Sequence, residues 1–401
     1  MNARSQSTGI ERAIELHKAG RLAEAEAAYM VLLRARPNDA DTLHFLGMLR
    51  LHQKRPAAAI EFIQRSLKIA PNNSHAWNNL GNLLLTEKRE VEAEEAYKRA
   101  TNLNPDMAEA WFNLGVLFRR KRQPEEALKS FRNVIDSNPR FSRAYESLGL
   151  LLYRMGQPKH AAETYRKWLE VEPNNPVARH MVAATSGEHV PERAADRYVA
   201  QLFDSFASSF DESLSNINYA APQLLAAALA ERVKFGEGTF DLLDAGCGTG
   251  LCGVLLRSSS KRLVGVDLSP GMLAKARERG IYDELLEAEL CACMRAHPSA
   301  FDIVNCADTL VYFGALEEAA AAAATCLRPG GVFAFTVEAE PEEAQHGYRI
   351  QAHGRYAHRA GYVTDVLTGA GFGAPEIEAV VLRKEGGEDV KGHLVVARLP
   401  T

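Results

Sequence analysis

The residues whose spacing could do chemistry are Leu-Leu-Asp-Ala-Gly-Cys-Gly-Thr-Gly at 242–250 and Val-Gly-Val-Asp ending at Asp267. The apolar run through Phe240, Leu242 and Leu243 predicts a buried parallel strand, and residues 251–257 predict a helix after the loop. Gly246, Gly248 and Gly250 stand at alternate positions, where any side chain would hold the backbone away from a ligand. A second apolar stretch, 262–266, ends in Asp267, an acid placed to accept hydrogen bonds from a ribose diol. Together these parts predict a nucleoside-binding crevice. A dinucleotide site would want Gly-x-Gly-x-x-Gly, so that a pyrophosphate can sit on the helix N-terminus. Here the spacing is Gly-x-Gly-x-Gly, preceded by Asp244, and a carboxylate there suits an ammonium better than a pyrophosphate.

Those elements need a sheet to hold them, and the bulk numbers leave room for more. At 401 residues, two domains or more are expected. Apolar content of 46% and charged content of 24% are ordinary for a globular protein. The net charge of −4 conceals an asymmetry: residues 1–185 carry 28 Lys/Arg against 21 Asp/Glu, and the rest is acidic. An acidic second half argues against catalysis on nucleic acid, whose phosphates call for Lys and Arg. The polar start of the chain has no secretory signal, and no apolar run approaches a membrane span, so a cytoplasmic location is expected. All six cysteines fall in the second half, without a second Cys/His pair at zinc-like spacing. Free thiols are therefore expected, and no metal.

The first half is periodic. Pro37, Pro71, Pro105, Pro139 and Pro173 recur every 34 residues, and Leu-Gly recurs at 46–47, 80–81, 114–115 and 148–149. Alanines at 25, 59, 93, 127 and 161 are each followed four residues later by Tyr29, Ile63, Tyr97, Phe131 or Tyr165. This pattern resembles the tetratricopeptide repeat over roughly 6–173, which implies five antiparallel helix pairs stacked into an α-solenoid. Residues 174–185 are expected as a closing helix, giving an array over 6–185, with a linker at 186–196. The resemblance implies a concave groove with His44, Asn78, Asn79, Asn82, Asn113 and Glu146 among its positions, and a protein or peptide as its partner.

The second half, over about 197–399, resembles class I S-adenosylmethionine-dependent methyltransferases. S-adenosylmethionine presents an ammonium, a carboxylate, a ribose and an adenine but no phosphate, which fits Asp244 and the glycine spacing. The resemblance continues through Glu289-Leu290, through 301–308 as a fourth strand, and through Leu327-Arg328-Pro329-Gly330-Gly331 as the turn into strand five at 332–338. Residues 376–383 and 392–398 are expected as the closing antiparallel pair of a seven-stranded Rossmann-like sheet. The overall wording is most similar to bacterial methyltransferases that carry an N-terminal repeat array.

The resemblance implies cofactor contacts from Asp244, Ala245, Gly246, Cys247, Gly248, Gly250, Asp267, Leu268, Glu289 and Leu290. The run Phe203-Asp204-Ser205-Phe206-Ala207-Ser208-Ser209-Phe210-Asp211 is similar to an element that lids the cofactor in many small-molecule methyltransferases, and adds Tyr198 and Tyr219 as candidates. Asp308 and Tyr312, just beyond strand four, are expected to position the methyl acceptor, with His358 a candidate general base. His353, Tyr356 and His358 are expected in the loop and helix after strand five. A rival reading is a repeat scaffold whose second half binds cofactor without efficient catalysis. A nicotinamide oxidoreductase is disfavoured by the glycine spacing.

Overall fold

The computed structural model describes residues 3–233 and 238–401 and divides into two compact units, Met1–Glu172 and Pro173–Thr401. The first unit consists of antiparallel helix pairs. They are α1 (Ala3–Lys18) with α2 (Leu22–Ala35), α3 (Ala40–His52) with α4 (Pro56–Ile69), and α5 (Ser74–Thr86) with α6 (Glu90–Leu103). Two further pairs are α7 (Ala108–Arg120) with α8 (Pro124–Ser137), and α9 (Ser142–Arg154) with α10 (Pro158–Val171). Each periodic proline lies just after the residue that caps the second helix of a pair: Arg36, Ala70, Asn104, Asn138 or Glu172. A proline there cannot extend the helical hydrogen-bond ladder, so the chain turns. Asp39 and Asn73 then start α3 and α5 by accepting from the Thr42 and Ala76 amides.

The repeated glycines have a packing reason. A Cβ on Gly81 would meet the Tyr97 ring at 2.5 Å, and one on Gly115 would meet Phe131 at 2.7 Å. The aromatic of the second helix therefore lies flat on the backbone of the first. Tyr29, Tyr97, Phe131 and Tyr165 are all buried, as are the alanines four residues before them.

The second unit begins with α11 (Pro176–Ser186), α12 (Asp196–Phe206), α13 (Phe210–Ser215) and α14 (Ala221–Val233). Alternation of strands and helices follows: β1 (Phe240–Ala245), α15 (Leu251–Leu256), β2 (Ser260–Asp267), α16 (Pro270–Arg279), β3 (Glu284–Glu287) and α17 (Leu290–Ala296). Next come β4 (Phe301–Cys306), α18 (Glu317–Cys326) and β5 (Leu327–Ala339). The unit ends with β6 (Tyr348–Ile350), β7 (Tyr356–His358), α19 (Ala360–Gly369), β8 (Glu376–Glu385) and β9 (Glu388–Arg398). Strands β3, β2, β1, β4 and β5 are neighbours in that order and parallel; β9 runs antiparallel beside β5, and β8 beside β9. Leu242 is in register with Leu263 on one side and Ile303 on the other. These residues, with Val332, Leu394, Leu225 and Leu229, make one apolar core against α14 and α15.

The strand order reverses between β1 and β4, which opens a crevice at the carboxyl ends of the strands. The glycine loop follows β1 and Asp308 follows β4, so both border it. The expected seven strands are present, and a short β6–β7 hairpin joins the end of β5 through Glu338 and Ala339. This corrects the expected loop and helix after strand five: Tyr356 and His358 are on β7.

Two stretches assigned from sequence to the array's cap and to the linker belong with the second unit. In α11 the His180 ring stacks on Tyr198 at 4.2 Å and is 2.7 Å from the Gly354 carbonyl oxygen. Residues 191–194 lie along the segment after β4, where Glu192 accepts from the Gly314 and Ala315 amides and Ala194 donates to the Tyr312 carbonyl.

Trp77, Trp111 and Trp168 all lie in the first unit, so tryptophan emission follows its unfolding. Gly81→Val should destabilise the array by about 1–3 kcal/mol through overpacking against Tyr97. The check is the urea midpoint of that emission; an unchanged midpoint would show that the ring yields freely.

Candidate functional site

The loop after β1 is made by backbone geometry. Gly246 and Gly248 sit at φ +75° and +54°, and a Cβ on Gly246 would collide with the Thr309 side chain. The Asp267 carboxylate at the end of β2 accepts from the Gly248 amide at 2.8 Å and the Ser269 amide at 2.9 Å. Loop and neighbouring strand are thereby one rigid piece. Behind the loop, the buried Asp244 carboxylate accepts from Tyr282 Oη at 2.6 Å and Asn305 Nδ2 at 3.0 Å. Burial pushes its pKa up to about 6 against the opposing pull of those two donors.

A cleft of about 1290 Å³, open mouth included, runs over these groups. Its roof is aromatic: Phe203 meets Phe210 at 5.9 Å and Tyr312 at 5.5 Å, both edge to face. The roof is tied down by Asp211, which accepts from Thr249 Oγ1 and Arg279 Nη2, while Arg279 Nε donates to the Thr249 carbonyl. Asp204 likewise accepts from Ser269 Oγ and the Gly271 amide at the start of α16. At one wall Glu289 caps α17 by accepting from the Cys291 and Ala292 amides, and pairs with Arg193 at 3.0 Å.

The far end, beyond β4 and β5, is a charged network. Arg383, buried on β8, donates to Asp308 at 2.7 Å, to Glu385 at 2.8 Å and to Glu338. Arg355 donates to the same Glu338 at 2.6 Å and to Glu385 at 2.5 Å. Burial works against the Glu385 carboxylate, yet Arg355 and Arg383 hold it down to about 2. His353 lies 3.4 Å from Glu338, but burial and the nearby Arg355 push it down to about 4, so it stays neutral. Asp308 itself has φ +54°, and its amide donates to Thr336 Oγ1 at 2.9 Å.

A methyltransferase-domain family model matches residues 243–335, which span β1 to β5, and tetratricopeptide-repeat models match 38–106, 92–129 and 115–176. The chain joins tetratricopeptide repeats to a class I methyltransferase domain. Methyltransferase-like protein 27 of Homo sapiens is 28% identical to this chain over 187 residues, 44% of this chain and 71% of that protein. Malonyl-(acyl-carrier protein) O-methyltransferase of Serratia marcescens is 32% identical over 138 residues, 34% of this chain and 51% of that protein. Thus the chain spans only about half the length of the second relative. The crystal structure of MamA is similar over 40% of this chain and 94% of its own, with 28% identity and a TM-score of 0.38.

Of the residues singled out from sequence, Asp244, Gly246, Cys247, Gly248, Asp267, Leu268, Glu289, Leu290, Tyr219, Asp308 and Tyr312 line the methyltransferase cleft together. Ala245 and Gly250 shape the loop without lining it. Tyr198 is buried against His180, and His358 is buried with Nε2 3.1 Å from the Gly314 carbonyl oxygen; neither lines the cleft. Arg193, Thr309, Arg355, Arg383 and Glu385 line it and were not anticipated. The one sequence signal among them was the charge of Arg383 inside a stretch that otherwise patterns as strand. Among the described residues no group of His, Cys, Asp or Glu could hold a metal ion, and no helix is long and apolar enough to cross a membrane.

Arg383→Met should cost about 3–5 kcal/mol, because Asp308 keeps its buried charge without the guanidinium that pairs it, and Glu338 and Glu385 are left to share Arg355 alone. Removing the cation raises the folded-state pKa of Asp308, already lifted by burial, further above its unfolded value. The loss therefore grows as pH rises and is smaller at about pH 5 than at about pH 8. Hydrogen exchange of β5 and β9 peptides measures it; equal losses at both pH values would contradict the charge argument.

Proposed function

We propose that the second unit binds S-adenosylmethionine and methylates an acceptor, and that the repeats recruit a protein or peptide partner or substrate. The observation that carries this reading is the buried Asp244 carboxylate beneath a loop of left-handed glycines. A pyrophosphate would be repelled there, whereas an amino acid ammonium gains a partner. Asp267 spends one lone pair on each oxygen holding Gly248 and Ser269, which leaves acceptor capacity for two ribose hydroxyls. Leu268, Leu290 and Ala288 give the neighbouring wall an apolar surface for a purine. When bound, the sulfonium supplies an already activated methyl group.

The chain's own residues then have three tasks: orient the acceptor, exclude water and receive any proton the acceptor must lose. The aromatic roof formed by Phe203, Phe210 and Tyr312 serves the second task. Asp308 and Tyr312 stand where an acceptor would meet the methyl group, at the carboxyl end of β4. His358, sealed away from the cleft, has no place in this scheme.

In the first unit Asn113 donates from Nδ2 to the Asn78 and Asn82 side-chain oxygens, and Asn79 Nδ2 lies 2.9 Å from His44 Nε2. An amide ladder already ordered in this way loses little entropy on gripping an extended peptide.

Calorimetry with S-adenosylmethionine and with NAD tests the reading. Binding of the former alone is expected, and Asp267→Ala should weaken it by about tenfold or more, about 1.4 kcal/mol. Binding of NAD alone, or of neither, would overturn it. Binding without transfer to any acceptor in a labelled lysate would support the scaffold reading instead. Because the ammonium needs Asp244 ionised, affinity should fall about tenfold for each pH unit below about 6, and Asp244→Asn should be weak at every pH. A flat wild-type profile between about pH 7 and pH 5 would contradict the ammonium assignment.

A further inference from the structure

Given the methyltransferase reading above, on which this step rests, the far end of the cleft selects its acceptor by charge. We infer that the acceptor is an amine with an aromatic or similarly flat body, and that Asp308 receives its N–H. Asp308 Oδ2 is held by Arg383, whereas Oδ1 is buried and, among the described residues, has no hydrogen-bond partner. A buried carboxylate oxygen left bare is costly, and a donor from the ligand would remove that cost. The left-handed backbone at Asp308, fixed through Thr336, holds the carboxylate at the edge of the cleft.

The arginines at this end do not make it an anion site. All three nitrogens of Arg383 are engaged by Asp308, Glu338 and Glu385, and two nitrogens of Arg355 by Glu338 and Glu385. Three carboxylates face two guanidinium groups, with His353 neutral, so the network carries a formal charge of −1. An acceptor carboxylate would have to displace one of these pairs and enter a net negative wall. An ammonium is drawn to it. The rings of Tyr219 and Tyr312 line the same end, and their negative faces also favour a cation.

The proton inventory closes. An amine arriving as ammonium breaks one N–H bond and gives that proton to Asp308 Oδ1; the electron pair left on nitrogen forms the new N–C bond as the methyl C–S bond breaks, and S-adenosylhomocysteine leaves with the sulfur pair. Asp308 returns the proton to solvent when the methylated product leaves. Burial, outweighing Arg383 and Arg355, raises the Asp308 carboxyl above its usual range, which suits it to accept a proton.

The test uses the full chain saturated with S-adenosylhomocysteine and two probes of equal size and opposite charge, phenethylamine and phenylacetate, in calorimetric titrations. Phenethylamine is expected to bind about tenfold or more tighter than phenylacetate. In Asp308→Asn that preference should vanish while S-adenosylhomocysteine still binds, which also shows that the variant is folded. Tighter binding of phenylacetate, equal binding of both, or binding of neither would overturn the inference. Failure of S-adenosylhomocysteine to bind the wild type would instead overturn the cofactor reading beneath it.

Discussion

The hydrogen bond from the Gly248 amide to the Asp267 carboxylate joins the loop after β1 to the end of β2, and the geometry of the cleft depends on it. The loop can reach Asp267 only because Gly246 and Gly248 take left-handed conformations that a Cβ would resist. With the loop fixed, Thr249 is presented to Asp211, and the aromatic roof closes over the same space. Asp244 completes the arrangement from below. Its two donors come from elsewhere in the unit: Tyr282 follows α16, and Asn305 is on β4. A small movement of β1 against either neighbour would therefore reach the carboxylate at once.

The two ends of the cleft handle buried charge differently. Beside the glycine loop, Asp244 and Asp267 are held by neutral donors, which leaves their charge available for a cationic or hydroxylated ligand. At the far end the charges are paired among themselves through Arg355 and Arg383, and Asp308 Oδ1 is buried without a hydrogen-bond partner among the described residues. A buried network of this kind adds little net stability, but it fixes side chains whose positions matter. Here it fixes Asp308, whose neighbour Thr309 lies against Gly246 of the loop after β1.

The repeat fold was legible because a 34-residue period writes the same helix pair again and again, while which aromatic covers which glycine came with the structure. The glycine loop and its two acids were legible for a related reason: their roles follow from backbone conformation and strand position, and both are local. The far end was not. Arg383 ended a strand expected only to close the sheet, Glu385 lay just beyond it, and Arg355 lay in a stretch expected as loop. They become site residues through the β5–β9–β8 pairing and the β6–β7 hairpin, contacts made across long separations in sequence. Similarly, His358 drew attention as a titratable residue after strand five, but hairpin formation turns its ring into the core, where burial keeps it neutral. Residues 186–196 looked like a linker from their Pro, Gly and polar content, and the contacts that 191–194 make with residues 312–315 have no sequence pattern to announce them.

The central claim is that one cleft holds a methyl donor by Asp244 and Asp267 and points it at Asp308. A crystal structure of the full chain grown with S-adenosylhomocysteine measures this most directly. The account predicts the ribose hydroxyls on Asp267, the amino group on Asp244 directly or through one water, and the sulfur facing Asp308 and Tyr312. Adenine at the Asp308 end, or a ligand bound outside the cleft with Asp267 untouched, would contradict it.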